Sequence, residues 1–170
     1  MATVKRNNDN TITVIFNDGK NAKFSQPNET HLKHALARAR KDPNGFADVL
    51  VANCLVEGDK KIADNLGYLA QINQVIDEIF GKVPCTLVWV ADEALVEFED
   101  GKTITLKPAT RTIYGQAQAK AAQNPLNYLL HILSSCHTEG DSIKSSPGHL
   151  LGFSDVAQDF IEYTGEKLGN

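Results

Sequence analysis

Two carboxylates flanking a glycine occur twice in the chain, as Glu57-Gly58-Asp59 and Glu139-Gly140-Asp141. Such a triplet offers hard oxygen ligands to a cation, or a flexible turn to a phosphate. A simpler reading accounts for the same residues: each triplet falls where one helical segment ends and the next begins, so the glycine stops one helix and the aspartate caps the other. Cys54 and Cys136 precede the two triplets at matched positions. Matched thiols suggest catalysis or metal binding, but each lies on the apolar face of its segment, where cysteine acts as a small hydrophobe. With Cys85 they make three widely spaced cysteines, unlike a secreted disulfide framework, and reduced thiols in the cytoplasm are expected.

His131, Cys136, His137 and His149 gather in the second half of the chain. No pair has the Cys-x-x-Cys or His-x-x-x-His spacing of a structural zinc site, and the first half has no equivalents, so no metal is expected. No recognisable motif assembles a nucleophile, a base and an orienting acid, and there is no glycine-rich phosphate loop. The reading is therefore a non-enzyme without cofactor; a metal site or an active site dispersed along the sequence is the alternative. His34, Arg38 and Lys41, beside Lys33 and Arg40, put a basic stripe on one helical segment. Phosphate contact is the sharp interpretation and a solvated helix face the plain one. Net charge of −4 and a pI near 5.7 favour the plain one and give no broad attraction to nucleic acid or an anionic membrane. The opening MATVKRNNDN lacks the apolar core of a signal peptide, and no stretch approaches the roughly 20 apolar residues of a membrane span. Trp89, the single tryptophan, is a candidate anchor for a protein partner, against a role in the core or between repeats.

The elements that carry these residues are themselves repeated. FNDGK at 16–20 returns as FEDGK at 98–102, 82 residues later, and sliding the chain on itself by that interval gives 17 identities over 66 positions, 14–79 against 96–161. Random pairing would give about 4. Val14, Phe16, Asp18, Gly19, Pro43 and Cys54 all recur, as do Ala35, Ala37 and Ala39. Hydrophobic content of 42% with 22% charged residues is that of a folded globular chain.

Each copy reads alike. TITVIF alternates Ile12, Val14 and Phe16 on one face, Asp-Gly supplies a tight turn, and NAKFS returns; ALVEFEDGKTITLKP repeats the hairpin, and Pro27 and Pro108 end the return strands. Asn28 or Thr30 caps a first helix that Pro43 closes. NGFADVLVANCLVEGD predicts a buried second helix running to Gly58. KIADNLGYLAQINQVIDEIFG predicts one amphipathic helix, with Ile62, Leu66, Leu69, Ile72, Val75, Ile76, Ile79 and Phe80 in its stripe, and SPGHLLGFSDVAQDFIEYTG is its counterpart, starting at Ser146-Pro147. TLVWV between the copies is an additional strand, which either leads the second hairpin, as ATVKR leads the first, or bridges the two hairpins.

A short hairpin ended by proline, a polar helix closed by DP or NP, the buried VLVANCLVEGD or LLHILSSCHTEGD, and an amphipathic helix ending in glycine together resemble the small tail assembly chaperones and related tail-region proteins of bacteriophages. The resemblance spans roughly 130 residues over both copies. It implies a non-enzymatic protein of the host cytoplasm that holds the apolar tape measure protein until tail tube subunits surround it; members of that family usually contain one such unit. A groove between helices that receives an amphipathic segment is the implied physical mode. The other expectations are a virion structural protein or an inhibitor of a host defence enzyme.

The sequence thus predicts an α+β chain of two homologous units, 1–82 and 83–170, each a β-hairpin followed by about three helices, related by a pseudo-twofold axis. Each unit alone is near the size at which a core is marginal.

Overall fold

The computed structural model describes residues 1–163. It is an α+β fold with two four-stranded antiparallel sheets and helices, and the chain divides into two compact units, the first Met1–Gly81 and the second beginning at Lys82.

The first unit opens with β1 (Thr3–Arg6), β2 (Thr11–Ile15) and β3 (Asn21–Ser25). Alternation sends Ile12 and Val14 of β2, with Ala22 and Phe24 of β3, into the core, all four fully buried. Complete burial of side chains like Ile12 and Phe24 stabilises by roughly 2–3 kcal/mol each. The β2–β3 turn works as its residues require: Gly19 sits at φ +84°, and the Asp18 carboxylate accepts the Lys20 N–H at 2.9 Å. Helix α1 (Glu29–Ala39) is capped reciprocally, Asn28 Oδ1 accepting from His31 N and His31 Nδ1 accepting from Asn28 N, each at 3.0 Å. Helix α2 (Gly45–Cys54) crosses α1 so closely that a Cβ on Gly45 would lie 2.5 Å from Ala39 N.

Beyond Cys54 the chain departs from the sequence expectation. The predicted helix does not run to Gly58; Leu55–Glu57 form β4, which pairs with β3 through Phe24↔Leu55 and Lys23↔Glu57. The open edge of β3 offers unpaired backbone groups, and satisfying them outweighs three more residues of helix. The predicted amphipathic helix is likewise interrupted. It is resolved into a short 3-10 helix (Lys60–Asp64), α3 (Leu66–Gln74) and α4 (Ile76–Phe80), with a break at Val75, φ −115° and ψ 17°. The break keeps Ile72, Val75, Ile79 and Phe80 all buried, which one straight helix with that spacing of apolar groups need not do. Gly81, at φ +71°, closes α4 in the left-handed conformation.

The second unit has β5 (Cys85–Val90), β6 (Glu93–Phe98), β7 (Thr103–Leu106), α5 (Arg111–Ala121), α6 (Pro125–Cys136), β8 (His137–Gly140), α7 (Pro147–Ser154) and α8 (Ala157–Glu162). TLVWV belongs to β5 and leads the second hairpin, pairing with β6 throughout its length. Each unit is therefore more than a hairpin with helices: a leading strand and a short late strand widen the hairpin to four strands, in the orders β1-β2-β3-β4 and β5-β6-β7-β8.

The pairing registers correspond in detail. Ile12↔Phe24 and Val14↔Ala22 match Ala94↔Leu106 and Val96↔Ile104 at an interval of 82, and the register shift between β3 and β4 recurs between β7 and β8. The leading strands match at 83: Val4↔Val14 corresponds to Leu87↔Val96. The last helices match at 81: Leu69 N→Asn65 O and Val75 N→Ile72 O correspond to Leu150 N→Ser146 O and Val156 N→Phe153 O. The first change of interval falls in the loop before the hairpin, the second at the 3-10 helix of the first unit. Three residues follow Asn7 before Thr11, but only Ala91 and Asp92 separate β5 from β6; and Asp59 is three residues from Ile62, but Asp141 only two from Ile143.

Candidate functional site

The Glu-Gly-Asp triplets serve the backbone. Glu57 ends β4, Gly58 takes φ +135°, and Asp59 accepts the Lys61 N–H at 2.9 Å, capping the 3-10 helix. In the second triplet Gly140 lies at φ +94° against the Thr103 carbonyl, and Asp141 Oδ2 accepts the Thr103 N–H at 3.1 Å. Each triplet thus ends a strand, not the helix expected from sequence. Burial pushes the thiols up, Cys85 and Cys136 to about 11, with Cys54 raised for the same reason, so all three are protonated at neutral pH and poor nucleophiles or ligands. Cys85 also donates to the Gly152 carbonyl at 3.3 Å.

The structure does not bring the four zinc candidates together. His131 Nε2 bonds Gln116, Cys136 lies in the core, and His149 bonds Ser146 and Asp100. His137 Nε2 is buried without a protein partner, and a void of about 10 Å³ lined by His137, Asp141 and Ser142 has room for one water. Among the described residues no group of His, Cys, Asp or Glu is placed to hold a metal ion, and no helix is long and apolar enough to cross a membrane. Arg38 of the basic stripe pairs with Asp48 of α2 at 3.4 Å.

One constellation was hidden by sequence distance. Ser146 Oγ lies 2.6 Å from His149 Nδ1, and His149 Nε2 lies 2.7 Å from Asp100 Oδ2. In one imidazole tautomer serine donates to histidine and histidine to the carboxylate, the order of a catalytic triad with the ring nitrogens exchanged. The first unit shows what this contact does. There Tyr68 O–H donates to Asp18 Oδ2 at 2.5 Å, and its ring lies 4.7 Å from that of Phe16, as His149 lies 4.9 Å from Phe98. Tyrosine and histidine hold the same post, a latch from the hairpin turn to the start of α3 or α7. What the two contacts have in common is the tie they make between turn and helix.

The latch has an electrostatic signature. The Tyr68 hydroxyl, followed by the Lys20 N–H, holds the Asp18 carboxyl below its usual range; for Asp100 the Lys102 N–H is the larger cause and His149 adds to it. A carboxylate with a depressed folded pKa stabilises above its unfolded value of about 3.9, and that stability is lost as pH falls through the folded value. Tyr68→Phe removes the larger cause at Asp18. Carboxyl ¹³C titration is expected to show the Asp18 pKa moving up toward about 3.9, with Asp100 unmoved; an unchanged Asp18 would contradict the latch. Beside Tyr68 the first unit has a surface cleft of about 340 Å³, lined by Phe16, Lys20, Lys61, Ile62 and Asn65 among others.

Trp89 points to the helical side of its sheet. Its ring stacks on Tyr163 at 3.8 Å between centroids and on Phe160 of α8 at 5.6 Å, near-parallel to both. The opposite face of β5 is the larger departure from ordinary surface chemistry. Cross-strand partners share a face, so Val88, Leu95, Thr105 and Glu139 form one outward row, flanked by Thr86–Glu97–Thr103 and Val90–Glu93. Val88 is 51% and Val90 59% exposed, Leu95 half-buried, and Glu93, Glu97 and Glu139 exposed. β5 is moreover an edge strand of six uncharged residues, whereas its counterpart β1 carries Lys5 and Arg6; charge on an edge normally deters pairing with other chains. In the first unit Lys5, Thr13 and Lys23 occupy the places of Val88, Leu95 and Thr105. An uncharged edge and an apolar outer face therefore coincide in the second unit and not in the first. No family model, curated protein or solved structure matches this chain.

Proposed function

We propose that the protein is a non-catalytic binder of another polypeptide, acting as a bacteriophage tail assembly chaperone in the host cytoplasm, where it holds apolar helical segments of the tape measure protein. The observation that carries this reading is the exposed apolar face of β5 and β6, with Val88 and Val90 more than half exposed beside Leu95. Exposed apolar clusters rimmed by polar groups mark interaction surfaces. The thiols are protonated and the histidine–carboxylate contact is a latch, so the conspicuous groups are occupied by structural tasks.

The two units descend, in this proposal, from one module copied in tandem. Matched registers, a matched bulge and a matched turn-to-helix latch support that history. One copy then keeps lysines in the central row of its outer face while the other offers the docking surface.

Affinity capture of the tagged chain from infected cells tests the function. The tape measure protein is expected to co-purify, and the chain to be absent from finished particles. Stoichiometric recovery in purified virions, or capture without tape measure protein, would overturn the chaperone reading.

A further inference from the structure

The geometry points to the chemistry of the segment that docks here: we propose an amphipathic helix whose apolar stripe is bordered on one side by lysine or arginine. This rests on the protein-binding reading above and adds which partners the face selects. Val88, Val90 and Leu95 supply the apolar contact, and the carboxylates supply the sign. Glu93, Glu97 and Glu139 all lie on the outward side of their strands. The cations adjoining these strands are Lys102, in the β6–β7 turn, and Lys107, just past β7. By the period-2 alternation of β7, Lys107 falls beside Glu93, which leaves Glu97 and Glu139 as the acidic border of the apolar row.

The spacing of that border fixes a pattern in the partner. Glu97 is two residues along β6 from Leu95, and Glu139 is two strands across from Leu95 in the same row. Strand rise and strand separation put them about 12 Å apart on the diagonal. A helix rises about 1.5 Å per residue, so its matching cations are about eight residues apart, two turns along one flank. A helix parallel to that diagonal and displaced about 6 Å toward β5 lies over Leu95 with Val88 beside it, its cations on the flank that faces the two glutamates. The first unit cannot select in this way, because lysines stand where Val88 and Thr105 stand in the second.

Two synthetic 18-residue helical peptides test the inference against the full chain by calorimetry at low salt. Both carry the same leucine stripe; one has lysines at positions i, i+7 and i+8 beside it, the other glutamates. The lysine peptide is expected to bind about tenfold more tightly or better, a preference that weakens with salt. The double variant Glu97→Lys/Glu139→Lys is expected to reverse the preference, and Glu97→Gln/Glu139→Gln to abolish it should the reversed variant fail to fold. Asp64→Lys/Glu78→Lys, the same change of net charge in the first unit, is expected to retain the preference. Equal binding of the two peptides, or a preference lost equally in the first-unit variant, would overturn the inference. Equal tight binding would leave the general protein-binding reading standing, whereas loss of tape measure capture with the peptide preference intact would fail the chaperone reading alone.

Discussion

Gly152→Ala is expected to destabilise the second unit by about 3 kcal/mol or more, placing it among the severe single substitutions. Gly152 is fully enclosed within α7, and a Cβ there would collide with the Val83 carbonyl, which is backbone and cannot rotate aside. Gly152's own carbonyl accepts from the Cys85 thiol, and Gly148 O accepts the Val83 N–H at 3.0 Å, so the segment leading into β5 is bonded along α7. Pushing α7 away would break these contacts and open the Trp89–Phe160 stack. Because Trp89 is the sole tryptophan, its fluorescence reads this unit directly, and the urea midpoint of that signal is the measurement. A midpoint within error of the parent would show that α7 does not approach Val83 as described.

Phe24→Ala is expected to cost the first unit about 3–5 kcal/mol, the range for an aromatic side chain removed from a rigid core. Phe24 is completely buried and occupies β3 between Ile12 of β2 and Leu55 of β4. The cavity would lie under the middle of the sheet, where the two neighbouring strands are pinned by their own hydrogen bonds and collapse little. Amide hydrogen exchange in β2 and β3 is the sensitive readout. Protection at Ile12 and Val14 is expected to fall by roughly two to three orders of magnitude, at about 1.4 kcal/mol for each tenfold. Protection unchanged at those amides would contradict the burial of Phe24.

Local chemistry made much of this architecture legible. The Asp-Gly turns, the Asn28 cap and the prolines after the return strands act through neighbours in sequence, and the structure places hairpins and first helices accordingly. The short strands β4 and β8 were not legible, because Leu55–Glu57 and His137–Gly140 carry no alternation long enough to read, and their pairing is decided by the waiting edges of β3 and β7. The repeat was legible only where its loops have equal length. Ungapped comparison sets Leu69 against Leu151, yet the hydrogen bond from Leu69 to its helix cap is matched by Leu150. Of the candidate site, Trp89 was visible as a type but not its stacking within its own unit, and the outer face was missed because Val88 and Leu95 meet only through strand pairing. The latch of Ser146, His149 and Asp100 was missed because the turn and helix that supply them are more than forty residues apart.

Arg6 ties the last strand position of β1 to the far end of its own unit, donating to the carbonyl of Glu78 at 2.7 Å, and a Cβ on Gly81 would lie 2.8 Å from its guanidinium. The end of β1 therefore braces the last turn of α4, satisfying a carbonyl that a helix terminus leaves open. Only Lys82, Val83 and Pro84 intervene before β5 begins. Fraying of α4 has to break the Arg6 tie to the first strand, which couples the last element of the unit to its first.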